Sequence, residues 1–313
     1  MSVKLGISLA GWPFPTDDPE QFFACVERAE AAGIDSLWLS ERLAGPLPML
    51  EPVTALAMAA ARTRTLKFGM SVLALPARNP VPLARALATV DFLSGGRFLP
   101  AFGLGLDDPR ELLASGVPKG ERAGRTDEAT RLLRRLWTEE NVDHNGRFYQ
   151  VRGATILPRP QQSPFPVWFG GRSEPALRRV GQIGDGWLAS AVSPAEVTAA
   201  LPQIRAFAAA ADRAIDEDHY GVIVPFQFTR DTEAVLARVT PAMLRLRPDA
   251  PPTGYTAIGS PEDCRALVRR YVDAGASKFV MRPVCPPAEL QEQLDLLAAE
   301  VLPAFHRTAA ASR

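Results

Sequence analysis

Residues 169–177 read FGGRSEPAL and combine the features of a phosphate-binding loop. Gly170 and Gly171 carry no side chain, so a ligand can approach the backbone closely. Ser173 is a common first residue of helices, and the N–H groups and dipole at a helix N-terminus attract anions. Arg172 adds a guanidinium for a charge-assisted hydrogen bond. The segment therefore predicts a phosphate site, and the alternative is an ordinary strand-to-helix turn.

Short apolar runs alternate with longer amphipathic runs along almost the whole chain. The first kind predicts strands, and the helical spacing of apolar residues in the second kind predicts helices. The predicted strands cover residues 4–9, 36–40, 66–73, 98–103, 167–169, 186–190, 221–228 and 278–282. Eight such units in 313 residues predict an α/β fold, the (β/α)8 or TIM barrel. We expect one domain over residues 1–313, with insertions at about 106–124, 141–166 and 230–259.

Other common catalytic groups stand at positions that do not favour a site. The lysines at the starts of predicted strands are Lys4, Lys67 and Lys278. Because a barrel's active site lies at the opposite strand ends, Schiff-base chemistry is disfavoured. The histidines, which have no carboxylate cluster at ligand spacing, are His144, His219 and His306. The three cysteines form no CxxC pair, so we expect neither a metal nor a disulfide.

The candidate residues are those at the C-terminal ends of the predicted strands. Besides the phosphate loop they include Arg42, Ser71, Val72, Gly105, Trp187 and Arg282. Arg282 ends the last strand, and an arginine is rarely buried without a partner. We therefore expect Arg282 to enter the pocket and bind an anionic group of substrate or cofactor. The alternative is an ion pair that closes the barrel rim.

The composition excludes several classes of partner. The 35 basic residues balance 35 acidic ones, so there is no excess positive charge for nucleic acid. No run of about 18 apolar residues is present to span a membrane, and Pro13 and Pro15 interrupt any signal-peptide core. We expect a soluble, cytoplasmic protein that binds neither nucleic acid nor membrane.

The order of several longer segments resembles that of a known family. These segments are AEAAGIDSLWLSE (29–41), GMSVLALP (69–76), LSGGRF (93–98), PVWFGGRSEPALRRVGQIGDGW (166–187) and ASKFVMRP (276–283). They resemble the bacterial luciferase-like family of flavin- or deazaflavin-dependent oxidoreductases on TIM barrels. The resemblance spans about residues 3–285.

This resemblance implies a reduced flavin at the barrel mouth. Its phosphate would lie at Gly170 and Gly171, and its ring would lie against the third strand. Family members often have a non-proline cis peptide behind the ring, which here would join Ser71 and Val72. Trp187 would lie near the cofactor, and its alternative role is that of an ordinary core aromatic residue.

Two positions depart from the family pattern. Arg42 follows Glu41 where a histidine is common, and arginine cannot shuttle protons near neutral pH. Arg42 is instead expected to bind an anionic substrate or to stabilise an anionic reduced flavin or peroxide. Leu106 follows Gly105 where deazaflavin-dependent sugar-phosphate dehydrogenases carry a glutamate. A sugar-phosphate substrate is therefore not expected.

The leading hypothesis is a monooxygenase that uses reduced FMN and O2 on a small organic substrate. It implies a separate flavin reductase, and relatives suggest a homodimer. One alternative uses the deazaflavin F420 for hydride transfer, and another is a flavin-binding protein without catalysis. The last is an unrelated phosphate-binding isomerase, for which Glu41 is the available base.

Overall fold

The computed structural model describes residues 3–305, so His306 lies outside the described part. Eight parallel strands form the centre of the fold. They are β1 (Lys4–Leu9), β2 (Ser36–Leu39), β3 (Lys67–Met70 and Leu73–Ala74), β4 (Phe98–Leu99 and Ala101–Gly103), β5 (Trp168–Gly170), β6 (Gly186–Ser190), β7 (Tyr220–Phe228) and β8 (Lys278–Pro283). Each strand pairs with the next, and β8 pairs with β1, so the sheet closes. The predicted (β/α)8 barrel is confirmed, with strand bounds shifted by one or two residues.

Helices surround the barrel. They are α1 (Glu20–Ala31), α2 (Pro52–Arg62), α3 (Pro80–Ser94), α4 (Pro109–Ser115), α5 (Arg122–Thr138), α6 (Glu174–Ile183), α7 (Pro194–Ala209), α8 (Thr232–Leu246), α9 (Pro261–Asp273) and α10 (Leu290–Leu296). Several begin at a side chain that caps a free backbone N–H: Asn79 accepts from Val81, and Ser260 forms a capping box with Asp263. None of the helices within residues 3–305 has the length and apolar character that a membrane span requires.

The three segments expected to be insertions contain their own elements. Residues 106–124 include α4 and the start of α5. Residues 141–166 include an antiparallel hairpin of Val142–Asn145 with Gln150–Ala154. Residues 230–259 include α8 and the short strand Ala257–Gly259, which pairs with the end of β7. The first and third segments therefore lie beside strand ends, where they can shape a site.

The interior of the barrel is filled by large side chains. They belong to a separate apolar cluster that comprises Trp38, Ala101, Trp168, Leu188, Ile223 and Val280. Glycines on neighbouring strands make room for the two indoles: a Cβ on Gly69 would lie 2.5 Å from the ring of Trp38, and a Cβ on Gly186 would lie 2.4 Å from the ring of Trp168. The barrel is therefore a packed core rather than a pore.

The LSGGRF segment has a structural role at the other end of the barrel. Gly95 ends α3 in the left-handed conformation, with φ of 71°. The guanidinium of Arg97 donates hydrogen bonds to the backbone oxygens of Ala60, Thr63 and Leu66. These bonds satisfy carbonyls at the end of α2 and fix that end to the start of β3.

Candidate active site

One large cavity opens at the C-terminal ends of the strands, with a volume of about 600 Å³. Its size lies within the range of about 300–1,000 Å³ that is usual for cofactor and substrate sites. Leu188 and Ile223, at the top of the interior cluster, form part of its floor. The structure brings these sequence-predicted residues to its wall: Arg42, Ser71, Val72, Gly105, Gly170, Gly171, Arg172, Ser173 and Arg282. Trp187 is the exception.

Strand β3 is interrupted at the cavity wall. The peptide between Ser71 and Val72 is cis, as the family resemblance implies. The side chain of Val72 lies over the neighbouring strands: a Cβ on Gly103 would lie 2.6 Å from its Cγ2, and a Cβ on Gly170 would lie 3.2 Å from its Cγ1. Glycine at both positions therefore leaves room for Val72, which presents an apolar surface to the cavity.

The loop between β5 and α6 forms another part of the wall. Gly171 has a φ of 109°, and a Cβ there would lie 2.6 Å from Cβ of Ala176. Ser173 stands at the N-cap in an extended conformation, but its hydroxyl makes no capping hydrogen bond within the described residues. The hydroxyl of Ser173 and the backbone N–H of Glu174 are thus available to an anion, whereas Pro175 has no N–H group and the N–H of Ala176 donates to the backbone oxygen of Ser173. This arrangement fits the predicted phosphate site.

Trp187 supports this loop from behind. Its indole is 1% exposed, and Nε1 donates a hydrogen bond of 2.7 Å to the backbone oxygen of Gly171. Trp187 also lines a neighbouring cavity of about 580 Å³, which shares Arg172 and Ser173 with the main one. It therefore contacts the loop that is expected to bind phosphate, not the main cavity.

Two arginines lie near the start of α6. Arg172 is exposed and donates one hydrogen bond, of 3.3 Å, to the backbone oxygen of Leu246. Arg179 was missed by the sequence analysis: it lines the cavity and forms an ion pair with Asp127 of α5. The signal for Arg179 is its position one helical turn after Pro175 and Ala176, which line the same cavity.

The loop after β4 is held by α5. Gly105 has a left-handed φ of 79°. Arg122, a second residue that the sequence analysis missed, donates from Nη1 to the backbone oxygens of Leu106 at 2.9 Å and of Gly105 at 3.3 Å. Arg122 therefore fixes the rim of the cavity rather than contacting a ligand.

Arg42 lies on the wall, but its charge is balanced. Its Nε is 3.0 Å from Oε1 of Glu111, a buried carboxylate of α4. The same carboxylate accepts hydrogen bonds from the backbone N–H groups of Leu43 and Ala44. Glu111 thus ties the loop after β2 to α4, and Arg42 is already paired before any ligand enters.

Glu41 is committed in a similar way. Its side chain is 3% exposed, one oxygen accepts from the N–H of Ala74 at 2.7 Å, and the other accepts from Arg78. Burial raises the pKa of the Glu41 carboxyl, and the hydrogen bonds from Ala74 and Arg78 oppose that effect. Glu41 therefore holds the second part of β3 in place, and this role argues against its use as the base of an isomerase.

Arg282 is a half-buried arginine of the wall whose hydrogen bonds go to serines. Its guanidinium donates to Oγ of Ser40 at 3.0 Å, to Oγ of Ser8 at 3.4 Å and to the backbone oxygen of Ser71 at 3.4 Å. Among residues 3–305 no carboxylate lies within 4.0 Å of it, so the rim ion pair is not found there. Burial lowers the pKa of Arg282 to about 10.

Ser8 and Ser40 were also missed by the sequence analysis. Ser8 is fully buried between the apolar Ile7 and Leu9 of β1. The alternation of side chains along a strand turns Ser8 toward the barrel interior while its neighbours face the helices. The sequence signal for Ser8 was its single hydroxyl within an otherwise apolar strand.

Comparison with known proteins identifies the family. A family model described as luciferase-like monooxygenase matches residues 3–256. The F420-dependent glucose-6-phosphate dehydrogenase of Amycolatopsis mediterranei (strain U-32) is 27% identical over 335 residues, covering 96% of this chain and 98% of that protein.

Solved structures share the fold. An F420-dependent secondary alcohol dehydrogenase, in complex with an F420-acetone adduct, matches with a TM-score of 0.84 and 18% identity, over 98% of this chain and 100% of that chain. A monooxygenase from Streptomyces bottropensis matches with a TM-score of 0.80 and 23% identity, over 97% and 100%. The chain belongs to the luciferase-like monooxygenase family and is an oxidoreductase of that family.

Proposed function

We propose that this protein binds the deazaflavin F420 and transfers a hydride between it and a small organic substrate. The observation that carries the proposal is the placement of two features in one cavity: the apolar side chain of Val72, and the N-terminus of α6 with the free hydroxyl of Ser173. The first is a surface for a flat ring, and the second is a site for the phosphate that follows it.

The bound cofactor supplies the hydride chemistry, and the chain supplies binding and orientation. Ser173, the backbone N–H of Glu174 and Arg172 would hold the phosphate group. Val72 would offer the ring an apolar surface, and Leu188 and Ile223 keep the floor of the cavity apolar. Glu41 holds the second part of β3 in position, because its carboxylate accepts a hydrogen bond from the backbone N–H of Ala74.

The preference for F420 departs from the leading sequence-based hypothesis, reduced FMN with O2. It is supported by the relative named as an F420-dependent dehydrogenase, which the chain matches over 96% of its length. We do not propose glucose 6-phosphate as the substrate of this protein. Leu106 stands after the β4 glycines where a glutamate is expected for a sugar-phosphate substrate. Arg42, which could otherwise bind an anionic substrate, is already paired with Glu111.

A luciferase-like monooxygenase that uses reduced FMN is the second candidate function. The description of the family model and the fold of the Streptomyces bottropensis monooxygenase support it. It would require a separate flavin reductase. For either function we propose a homodimer, which light scattering of the purified protein tests.

The decisive experiment is an anaerobic titration of the apoprotein with F420, FMN and reduced FMN. We expect F420 to bind most tightly, followed by F420 reduction when candidate alcohols are added. Tighter binding of reduced FMN, with O2 consumption in the presence of a substrate, would select the second candidate. Absence of binding by all three would overturn both.

A further inference from the structure

The charges on the cavity wall are not all balanced. Two arginines of the wall pair with carboxylates, Arg42 with Glu111 and Arg179 with Asp127, and the wall carboxylate Glu41 pairs with Arg78, which does not line the cavity. Within residues 3–305, Arg172 and Arg282 line the cavity with no carboxylate within 4.0 Å. The wall therefore has an excess of positive charge, and it lies at two separate places.

The two unpaired arginines stand on different sides of the barrel. Arg172 follows β5 and belongs to the phosphate loop. Arg282 lies on β8 and contacts serines of β1 and of the loop after β2. One cofactor phosphate at α6 accounts for the first cation and leaves the second without a counter-ion.

We propose that Arg282 and Ser40, with the buried Ser8 accepting a hydrogen bond from the guanidinium, form a pocket for a carboxylate of the substrate, so that the substrates of this oxidoreductase are small, largely apolar organic acids. This assignment rests on the proposed function, because it places the cofactor phosphate at α6. Arg282 and Ser40 thus make up the Arg282 pocket.

The hydrogen bonds of Arg282 leave part of its guanidinium available. Nε and Nη2 donate to the serine hydroxyls, whereas Nη1 makes no hydrogen bond within residues 3–305. Nη1 is also not among the enclosed polar atoms that lack a partner, so it is open to the cavity. The hydroxyl of Ser40, 3.1 Å from the backbone oxygen of Ser71, can rotate toward a ligand oxygen.

The absence of a counter-ion is informative because Arg282 is half-buried, and a guanidinium that is partly withdrawn from water is unfavourable unless it is paired. Serine hydroxyls solvate the charge without neutralising it. A chain that bound a neutral substrate here would gain by carrying an apolar side chain instead. A ligand anion supplies the missing charge, and the planar fork of arginine matches the two oxygens of a carboxylate.

The surroundings limit the rest of the substrate. Leu47, Met49, Val72 and Ile223 are apolar residues of the same cavity wall. A phosphate dianion needs more donors than one guanidinium and the hydroxyl of Ser40, and in this cavity the helix N-terminus is the better phosphate site. A monoanionic acid with an apolar body therefore fits this pocket.

The test uses benzoate and its neutral analogue benzamide, which have nearly the same shape. Their binding is measured by calorimetry on the wild type, with and without saturating F420. We expect benzoate to bind about tenfold more tightly than benzamide, which corresponds to one charge-assisted contact. Equal affinities for the two would overturn the Arg282 pocket, and this result needs no variant.

The variant Arg282→Met then locates the preference, with Arg64→Met as a matched control at an exposed arginine. We expect Arg282→Met to abolish the preference for benzoate and Arg64→Met to retain it. If Arg282→Met does not fold, Ser40→Ala should reduce the preference instead. Retention of the full preference in the folded variants would overturn the assignment.

Two further readouts separate the possible failures. If Arg282→Met loses F420 affinity but keeps the benzoate preference, the guanidinium binds the cofactor and the Arg282 pocket is wrong. If glucose 6-phosphate binds more tightly than benzoate in an Arg282-dependent way, the carboxylate class is wrong. If wild type binds no F420, the proposed function fails, whereas the ratio measured without cofactor still tests the pocket.

Discussion

The two ends of the cavity offer an anion different kinds of hydrogen-bond donor. At the β5–α6 end the donors are backbone N–H groups, and the sequence there is rich in glycine with one uncommitted hydroxyl at Ser173. At the β8 end the donor is the side chain of Arg282, which contacts Ser8 of β1 and Ser40 of the loop after β2. A backbone site depends on the absence of side chains, and a side-chain site depends on which neighbours carry charge.

Arg42 shows that a side-chain site depends on the charges of its neighbours. It lies at a strand end and on the same cavity wall as Arg282, yet Glu111 neutralises it. The position of an arginine at a strand end therefore does not decide whether it can bind an anion. What decides is whether a carboxylate of the chain already pairs with it.

The largest expected effect is on stability. Glu111→Ala leaves Arg42 without its partner and two backbone N–H groups without an acceptor. We expect a loss of about 2 kcal/mol in the free energy of unfolding, below the usual value for a buried pair because Arg42 is partly exposed. Urea denaturation measures it. The control is Glu139→Ala, which breaks the exposed Arg135–Glu139 pair and should leave stability nearly unchanged.

Gly171→Val tests the backbone end. The new side chain would meet Cβ of Ala176 and would be held at a φ of 109°, so the loop must move away from α6. We expect cofactor affinity to fall about tenfold or more, as measured by fluorescence titration. Gly254→Val, where a Cβ meets nothing within 4 Å, should leave it unchanged. Unaltered affinity in folded Gly171→Val would contradict the phosphate assignment.

Ser40→Ala and Ser8→Ala test the side-chain end more finely. Ser40 is the nearer hydroxyl to Arg282, at 3.0 Å against 3.4 Å for Ser8. We expect Ser40→Ala to weaken benzoate binding about threefold to fivefold and Ser8→Ala to weaken it less, consistent with the loss of one hydrogen bond. The reverse order, measured by calorimetry, would mean that Ser8 faces the ligand.

The smallest expected effect is that of Arg282→Met on stability. Removal of a half-buried charge that has no carboxylate partner in the described chain should leave the free energy of unfolding unchanged or raise it, in contrast to Glu111→Ala. Burial lowers the pKa of Arg282 to about 10, so the unfolded chain binds more protons than the folded one only above that pH. The wild type should therefore gain stability relative to the variant only as the pH rises beyond about 10.

Between pH 5 and 9 Arg282 is charged in both states, and the difference in stability between wild type and Arg282→Met should be constant. Denaturation curves across that range measure it. A difference that varies with pH there would show that Arg282 is coupled to another titrating group.

Much of the secondary structure could be predicted from local sequence patterns. The alternation of apolar runs predicted all eight strands, because strand and helix periods are set by nearest neighbours along the chain. The glycines and Ser173 of the phosphate loop were readable for the same reason, since a turn and a helix start need only a few adjacent residues. The cis peptide at Ser71–Val72 was anticipated from family resemblance rather than from physics.

Only the closed barrel decided which charges meet. Glu111 reaches Arg42 across 69 residues, and Arg282 reaches Ser40 across 242. No local pattern encodes such pairs, because the register between strands and the direction of each side chain at the rim select them. The sequence by itself determined the barrel and the loop that is expected to hold a phosphate. The tertiary structure decided that Arg42 is neutralised and that Arg282, among hydroxyls and without a carboxylate in the described chain, is left for a ligand.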